Sequence, residues 1–600
     1  MMILLPLFGV LAEFLPYSLS VESKLYTDPL QLDKTEYDFV IIGAGTAGNV
    51  LANRLTEDNS FTILVVEAGV SNTGLITDEI PFLARSLFPN TSITWNYTTS
   101  PQPGLNGRAI PYPRGRVLGG SSTINLEIWT RASKDDWNRF ANFTDDIGWS
   151  WEAMLPYMKK ASRSEHLVPS PDRHNTSGEV IPALHGNKGP VQTSLGGFPS
   201  EVDQRLFNTT QEFPQEFPFN EDMNSGIPLG IGWVPYSVST EGRRSSSATA
   251  YLEPVLNRSN LDVLIMTQVT KLIPSNTIDG VVHFDAIEMA QSPTSAPFTV
   301  SAKKEIIICA GAVNTPHLLQ LSGIGDGTIL SAVGIEPIVE LEDVGQHLMD
   351  HPALANSWFA NSTHTSDNIS RNATLAAEIL QQWEMTGTGR YCDPGTNIIG
   401  WLRLPQDGSA EDASAGPTAA QIELIFSNGF MSFVEAAPAT GHYFSISTII
   451  SSPFSRGNIT LASNDPFDSP LINPGLLSDP RDVSMMLQAL KTAVRMLQAP
   501  TWSGYILEPV SSLAAAMTDE ALEEYARNFT YTEFHPIGSA RMAPASSKEG
   551  VLTPSLKVKG TSGLRVVDAS VFPFIPASHP QACIYAVAER AVDLIKSDWL

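Results

Sequence analysis

Residues 37–58 read YDFVIIGAGTAGNVLANRLTED. Tyr37 to Ile42 form a short apolar run of the kind that a strand buried on both faces requires. Gly43, Gly45 and Gly48 follow in G-x-G-x-x-G spacing, enclosing Thr46 and Ala47. Gly43 permits a tight turn, Gly45 lets backbone approach a pyrophosphate, and Gly48 lets a helix pack closely on the strand. Val50, Leu51 and Leu55 then suit a helix whose N-terminus faces phosphates. A second strand, FTILVVEAG (61–69), carries Glu67 and Ala68 at its end, the acid about 20 residues beyond the last glycine. A carboxylate there accepts hydrogen bonds from a ribose diol. Structural turns imitate a lone glycine triplet, but strand, triplet, helix, strand and acid in that order predict an α/β dinucleotide site.

Two further stretches bear on which dinucleotide. GRVLGGSSTINLEIWTRAS (115–133) sets Gly119, Gly120, Ser121, Ser122 and Thr123 ahead of Ile124 and Asn125. Small residues and donors suit close approach of backbone to a flat or anionic ligand, and a polar surface loop would not explain the apolar residues around them. GAVNTPHLLQLSGIG (311–325) follows the strand KEIIICAG and reads as glycine turn, helix and glycine exit.

Both stretches resemble the two signature motifs of the glucose-methanol-choline (GMC) oxidoreductases. The N-terminal GAGTAG with VVEAG, and HPIG (535–538) with DASVFP (568–573), match in order, so the resemblance runs from about residue 36 to the end. It implies FAD, oxidation of an alcohol, and a Rossmann-like flavin domain assembled from separated segments around a substrate domain on an antiparallel sheet. The expected flavin segments are 36–165, 236–345 and 530–600, and the substrate segments 166–235 and 346–529. Val269, Asp568, Ala569, Pro580 and Gln581 join the glycine-rich residues as implied cofactor contacts. QIELIFSNGF and HYFSISTIISSPFSRGNITL supply strand formers for the second sheet.

Histidine is scarce, 11 in 600 residues, yet three precede proline: His351, His535 and His579. By resemblance, His535 and His579 hold the two active-site positions facing the flavin, the first as acid-base. Hydride departure from an alcohol carbon leaves a cationic carbonyl oxygen unless the hydroxyl proton also leaves. An imidazole with a pKa near 6.5 can take that proton. The second imidazole can orient the hydroxyl and, once cationic, draw superoxide during reoxidation. His351, His317 and His347 are expected to be structural. Apolar residues from Ile584 to Ile595 follow helical spacing, and Pro580 stands where a helix start loses nothing by lacking an N–H. Phe534 precedes His535 as in aryl-alcohol oxidases, which tilts toward oxygen as acceptor, although a phenylalanine there is equally ordinary packing. Tyr97, Trp401 and Phe430 are aromatic candidates for the substrate pocket.

Composition bounds the rest. The length suits two to four domain-sized units. A net charge of -26 disfavours nucleic acid and anionic membranes as partners. Residues 1–20 resemble a signal peptide, the apolar run being too short to span a bilayer. Eleven N-x-S/T sequons, Asn90, Asn96, Asn142, Asn175, Asn208, Asn257, Asn361, Asn368, Asn372, Asn458 and Asn528, support export and glycosylation. Three cysteines allow one disulfide at most, and no metal-ligand spacing is present, so no metal is expected. The leading expectation is a secreted alcohol oxidase making aldehyde and hydrogen peroxide. The alternatives are an enzyme of specialised metabolism acting on a polycyclic or lactone precursor, a dehydrogenase passing electrons to a quinone, and a hydroxynitrile lyase on the same fold.

Some relatives attach FAD through a histidine just before the asparagine of the Gly-Gly motif; here Ile124 stands there and cannot form the bond. Acid or denaturant should therefore release the flavin intact. Yellow colour remaining in the washed precipitate would refute this.

Overall fold

The computed structural model describes residues 25–88, 92–163, 176, 178–405 and 411–600. The expected signal peptide and the sequons at Asn90 and Asn175 lie outside them.

The run that begins at Tyr37 is strand Glu36–Ile42, at the heart of a nine-stranded sheet. On one side it pairs in parallel with Ile63–Val66, which pairs with Leu261–Leu264. On the other it meets the long strand Phe298–Ile308, whose last residues also pair in parallel with Leu564–Val566. The first residues of that long strand belong instead to an antiparallel meander with Val281–Ala290 and Gln268–Ile278. Three distant stretches of chain therefore build one sheet. Its core strands are near-continuous Val, Ile and Leu, as burial on both faces demands.

Helix Thr46–Leu55 covers one face beside the final helix, Gln581–Trp599. A forked ion pair clamps the two: Arg54 Nε and Nη2 donate to the buried Glu589 carboxylate at 3.0 and 2.9 Å. Close packing of helix Thr46–Leu55 on the strand ends requires Gly48, because a Cβ there would lie 1.9 Å from the Gly43 carbonyl oxygen and 3.4 Å from the Cys309 Cβ. Gly43 itself has φ +102°, open to glycine at little cost.

The second sheet has seven strands, all antiparallel, running Ile506–Pro509, Pro352–Ala360, Tyr443–Ile450, Ile422–Ser427, Ile398–Leu402 and Gly230–Trp233, with Tyr531–Thr532 added beside Pro352. The predicted strand formers at 421–430 and 442–461 supply two of its central strands. Helix Pro480–Met496 packs its apolar stripe on this sheet. Cys309, Cys392 and Cys583 are buried and unbridged. No described helix is long and apolar enough to cross a membrane.

Gly48→Ala should overpack the junction of strand and helix, at a cost of about 1–3 kcal/mol. Calorimetry with flavin quantitation should show a lower melting temperature and lost cofactor; unchanged values would overturn this account of Gly48.

Candidate active site

Two cavities meet at Thr46, Arg114, Ser121 and Ile584, the second of them reaching Ile425, Ser427 and Ser447 of the second sheet. The first, about 160 Å³, is lined by Gly43, Gly45, Thr46, Ala47, Glu67, Ala68, Gly120, Ser121, Val269, Asp568 and Ala569 among the predicted cofactor residues. Here the two glycine-rich stretches touch: a Cβ on Gly120 would lie 2.8 Å from the Gly45 Cα, and Gly119 N–H donates to the Ala44 carbonyl at 2.8 Å. Walls of bare backbone beside the start of helix Thr46–Leu55 suit a diphosphate. An elongated channel with a carboxylate at one end and two imidazoles at the other fits FAD.

Several predicted contacts have other work. Glu67 accepts hydrogen bonds from Ala44 N–H at 2.9 Å and Gly69 N–H at 2.8 Å, so it shapes the glycine turn and keeps one lone pair per oxygen for a ribose. Burial raises its pKa to about 7. Asp568 is saturated by Gly311 N–H, Thr315 and two donors of Ser570. Asn125 accepts from Arg244 at 2.8 Å and donates to Gln581 at 3.1 Å. Gly48, Gly119 and Thr123 line neither cavity: Gly48 is a packing residue, and the Thr123 hydroxyl donates to the Leu118 carbonyl.

The second cavity, about 590 Å³, is lined by Ser122, Ile124, Asn125, Pro580 and Gln581 on its cofactor side and holds His535 and His579. Backbone pairing brings the histidines there. Tyr531–Thr532 pairs with Pro352 and Ala353, Glu533 N–H donates to the His351 carbonyl, and Ile537 and Met349 exchange both backbone bonds. His351 and His535 are thus fixed side by side, Nδ1 to Nδ1 at 3.0 Å, and His351 Nε2 lies 3.1 Å from the Ser451 carbonyl. His579 sits just ahead of the final helix, its ring perpendicular to that of His535 at 4.8 Å. Its Nε2 meets Glu423 at 2.9 Å, and its N–H donates to Thr130.

The two imidazoles are pushed apart electrostatically. Burial, then the charges of His579 and Arg114, hold His535 well below 6.5. Burial works against charge on His579 too, but Glu423 and Glu533 carry it above 6.5. Glu533 is itself raised to about 7 by burial. The base predicted with a pKa near 6.5 is therefore a weaker base, and its neighbour is biased toward the charged form by two acids.

Sequence reasoning missed Glu423, Glu533, Asp350 and Arg114, and it underrated His351. Glu423 offered a signal, as the lone charge in the apolar strand QIELIFS. Phe534 takes φ +61°, rare for a side chain of its size. Thr532 accepts from its N–H at 2.7 Å, Arg114 donates to its carbonyl at 2.6 Å, and its ring stacks on Phe88 at 5.1 Å. Of the aromatic candidates, Phe430 lines the second cavity, Trp401 packs edge-on against His579, and Tyr97 bonds to Asn314 beside neither histidine.

Family models described as GMC oxidoreductase match residues 37–353 and 453–588. The chain belongs to the GMC oxidoreductases. The dehydrogenase eriK of Hericium erinaceus is 37% identical over 98% of both chains. A pyranose dehydrogenase of Agaricus campestris is 35% identical over 94% of each. A formate oxidase of Aspergillus oryzae, solved in work on its FAD modification, superposes with a TM-score of 0.85 at 27% identity, covering 95% of this chain and 99% of that one. This GMC protein is an FAD-dependent oxidoreductase, and the predicted fold class stands.

The neutral form of His535 is present above its lowered pKa and lost only below it. Lowering the pH from about 8 to about 6 should therefore cost flavin reduction by an alcohol substrate no rate, any change in that window being the gain expected as His579 takes its proton. A fall in rate on acidification with a midpoint at the ordinary imidazole value in anaerobic stopped flow would refute this.

Proposed function

We propose that this GMC oxidoreductase oxidises an apolar alcohol of aromatic size at a primary carbon, giving the aldehyde. The wall of the second cavity carries this reading. Phe82, Phe88, Phe430, Phe433 and Phe534 contribute to a predominantly apolar lining around His535 and His579. Such a wall stabilises an aromatic body, while Arg85, Asn125, Ser427 and Glu533 add polar partners for a few oxygen atoms. A polycyclic or lactone precursor with one reactive hydroxyl meets the same chemistry.

His535 accepts the hydroxyl proton: the O–H bond breaks, an N–H bond forms on the imidazole, and the carbonyl forms as the carbon's hydrogen departs with the C–H electron pair as hydride. FAD, when bound, would supply the hydride acceptor. His579, charged beside Glu423, donates a hydrogen bond toward the oxygen and holds it in place. The aromatic wall excludes water from the site.

The electron acceptor inferred here is a quinone or similar organic oxidant. Phe534 suggested oxygen, but superoxide is drawn by net positive charge, and Glu423 and Glu533 offset the charge of His579. The dehydrogenase names of the relatives agree. Secretion and glycosylation remain part of the proposal. The sequon asparagines among the described residues, Asn96, Asn142, Asn208, Asn257, Asn361, Asn368, Asn372, Asn458 and Asn528, are all at least partly exposed.

Anaerobic addition of benzyl-type alcohols should bleach the flavin, and His535→Ala should slow this by roughly 10²-fold or more. Benzoquinone should then restore the yellow colour faster than oxygen. A flavin untouched by any alcohol would favour the hydroxynitrile lyase reading.

A further inference from the structure

From the contacts of His351, we infer that this residue is a positioning residue which fixes the tautomer of His535, so that the base presents an unprotonated Nε2 to the substrate cavity. The inference rests on His535 being the base, and it assigns a task to a histidine expected to be structural.

The chain of hydrogen bonds admits one direction. The Ser451 carbonyl can only accept, so the His351 nitrogen facing it at 3.1 Å, Nε2, must carry the hydrogen. Buried and next to the charge of His579, His351 has its pKa pushed down to about 3 and stays neutral. A neutral imidazole with hydrogen on Nε2 has a lone pair on Nδ1. That lone pair faces His535 Nδ1 at 3.0 Å, so His535 Nδ1 must be the donor. His535 is neutral as well, and its only hydrogen is thereby spent. Nε2 is left as a lone pair, and among the described residues it has no protein partner. The opposite arrangement would set the His351 Nε2 lone pair against a carbonyl oxygen with both groups buried, which burial penalises.

This is the logic of a nucleophile's base oriented by a third group, with a neutral imidazole in the place a carboxylate takes in hydrolytic triads. The difference has a purpose here. A carboxylate against His535 would raise its pKa, as Glu423 does for His579, and would leave the base protonated near neutral pH. A neutral acceptor sets the tautomer and strengthens its bond only when His535 becomes cationic. The proton goes no further than the imidazole pair, because His351 Nε2 already carries hydrogen toward the Ser451 carbonyl, which can only accept a hydrogen bond.

The test uses the holoenzyme labelled with ¹⁵N-histidine, the His535 ring resonances being assigned by their loss in His535→Gln. Two-bond couplings should show hydrogen on Nδ1 of His535 and none on Nε2. His351→Phe keeps the volume and removes both bonds. It should erase the tautomer preference and slow anaerobic flavin reduction by roughly 10²-fold, with flavin content unchanged. His351→Gln offers a carbonyl to His535 and an amide to Ser451, and should recover most of the rate. Hydrogen on Nε2 of His535 in the unmodified protein overturns the inference, and this readout stands even if His351→Phe fails to fold. So does an unaltered tautomer in His351→Phe, or equal losses in the two variants. The tautomer readouts do not require that an aromatic alcohol be the true substrate; the rate comparison uses whichever alcohol bleaches the flavin. A protein with the predicted tautomer and no response to such alcohols would defeat the functional proposal and leave this inference standing.

Discussion

A single buried carboxylate holds the chemistry together. Asp350 Oδ1 accepts the backbone N–H groups of His351 at 2.8 Å and His535 at 2.9 Å, while Oδ2 accepts the hydroxyls of Tyr112 and Thr532. Burial pushes its pKa up, and four donors work against that shift. The bonds on Oδ1 fix the spacing of two histidines that lie 184 residues apart in the chain. The bonds on Oδ2 tie the same point to the stretch leading into the Gly-Gly motif and to the strand that carries His535. Removing the carboxylate would strand buried N–H groups as well as loosen an active site, which is why such hubs tolerate little change.

Around this anchor the protein makes two imidazoles behave differently while keeping their rings 4.8 Å apart. His535 has neighbours that are neutral or cationic; His579 has Glu423 and Glu533. One environment disfavours a proton on its imidazole and the other favours it, which suits the two for different tasks. The second sheet supplies Glu423, the stretch after Tyr531–Thr532 supplies Glu533, and the turn ahead of the final helix supplies His579, so the division of labour depends on segments far apart in the chain.

The glycine-rich turn, the strands around it and the final helix were legible because their residues have local reasons to be where they are. Gly43 needs its positive φ, Gly48 needs the absence of a Cβ, and the apolar spacing from Ile584 onward follows the helix. The roles of Glu67, Asp568 and Asn125 were half legible: their placement near the cofactor channel follows from motif order, but their hydrogen-bond partners are backbone groups and side chains far along the chain. Glu423 was less visible, since a lone acid in an apolar strand has no meaning until His579 arrives from 156 residues away. His351, expected to be structural, was illegible in the same way: its neighbours in sequence give no chemical partner, and its neighbour in space is His535.

Strand Phe298–Ile308 takes its parallel partner Leu564–Val566 from near the end of the chain, and Gly311 waits for Asp568 across 257 residues. On the ribosome, at roughly 5–20 residues per second, that interval lasts about 10–50 s. Throughout it, an edge of the nucleotide-binding sheet stays unpaired while the substrate domain is being made. Such an edge is a liability for wrong pairing between chains. The protein therefore depends, while it is being born, on whatever shields that edge, and its yield in a foreign host should be governed by chaperone supply more than by the strength of the finished fold.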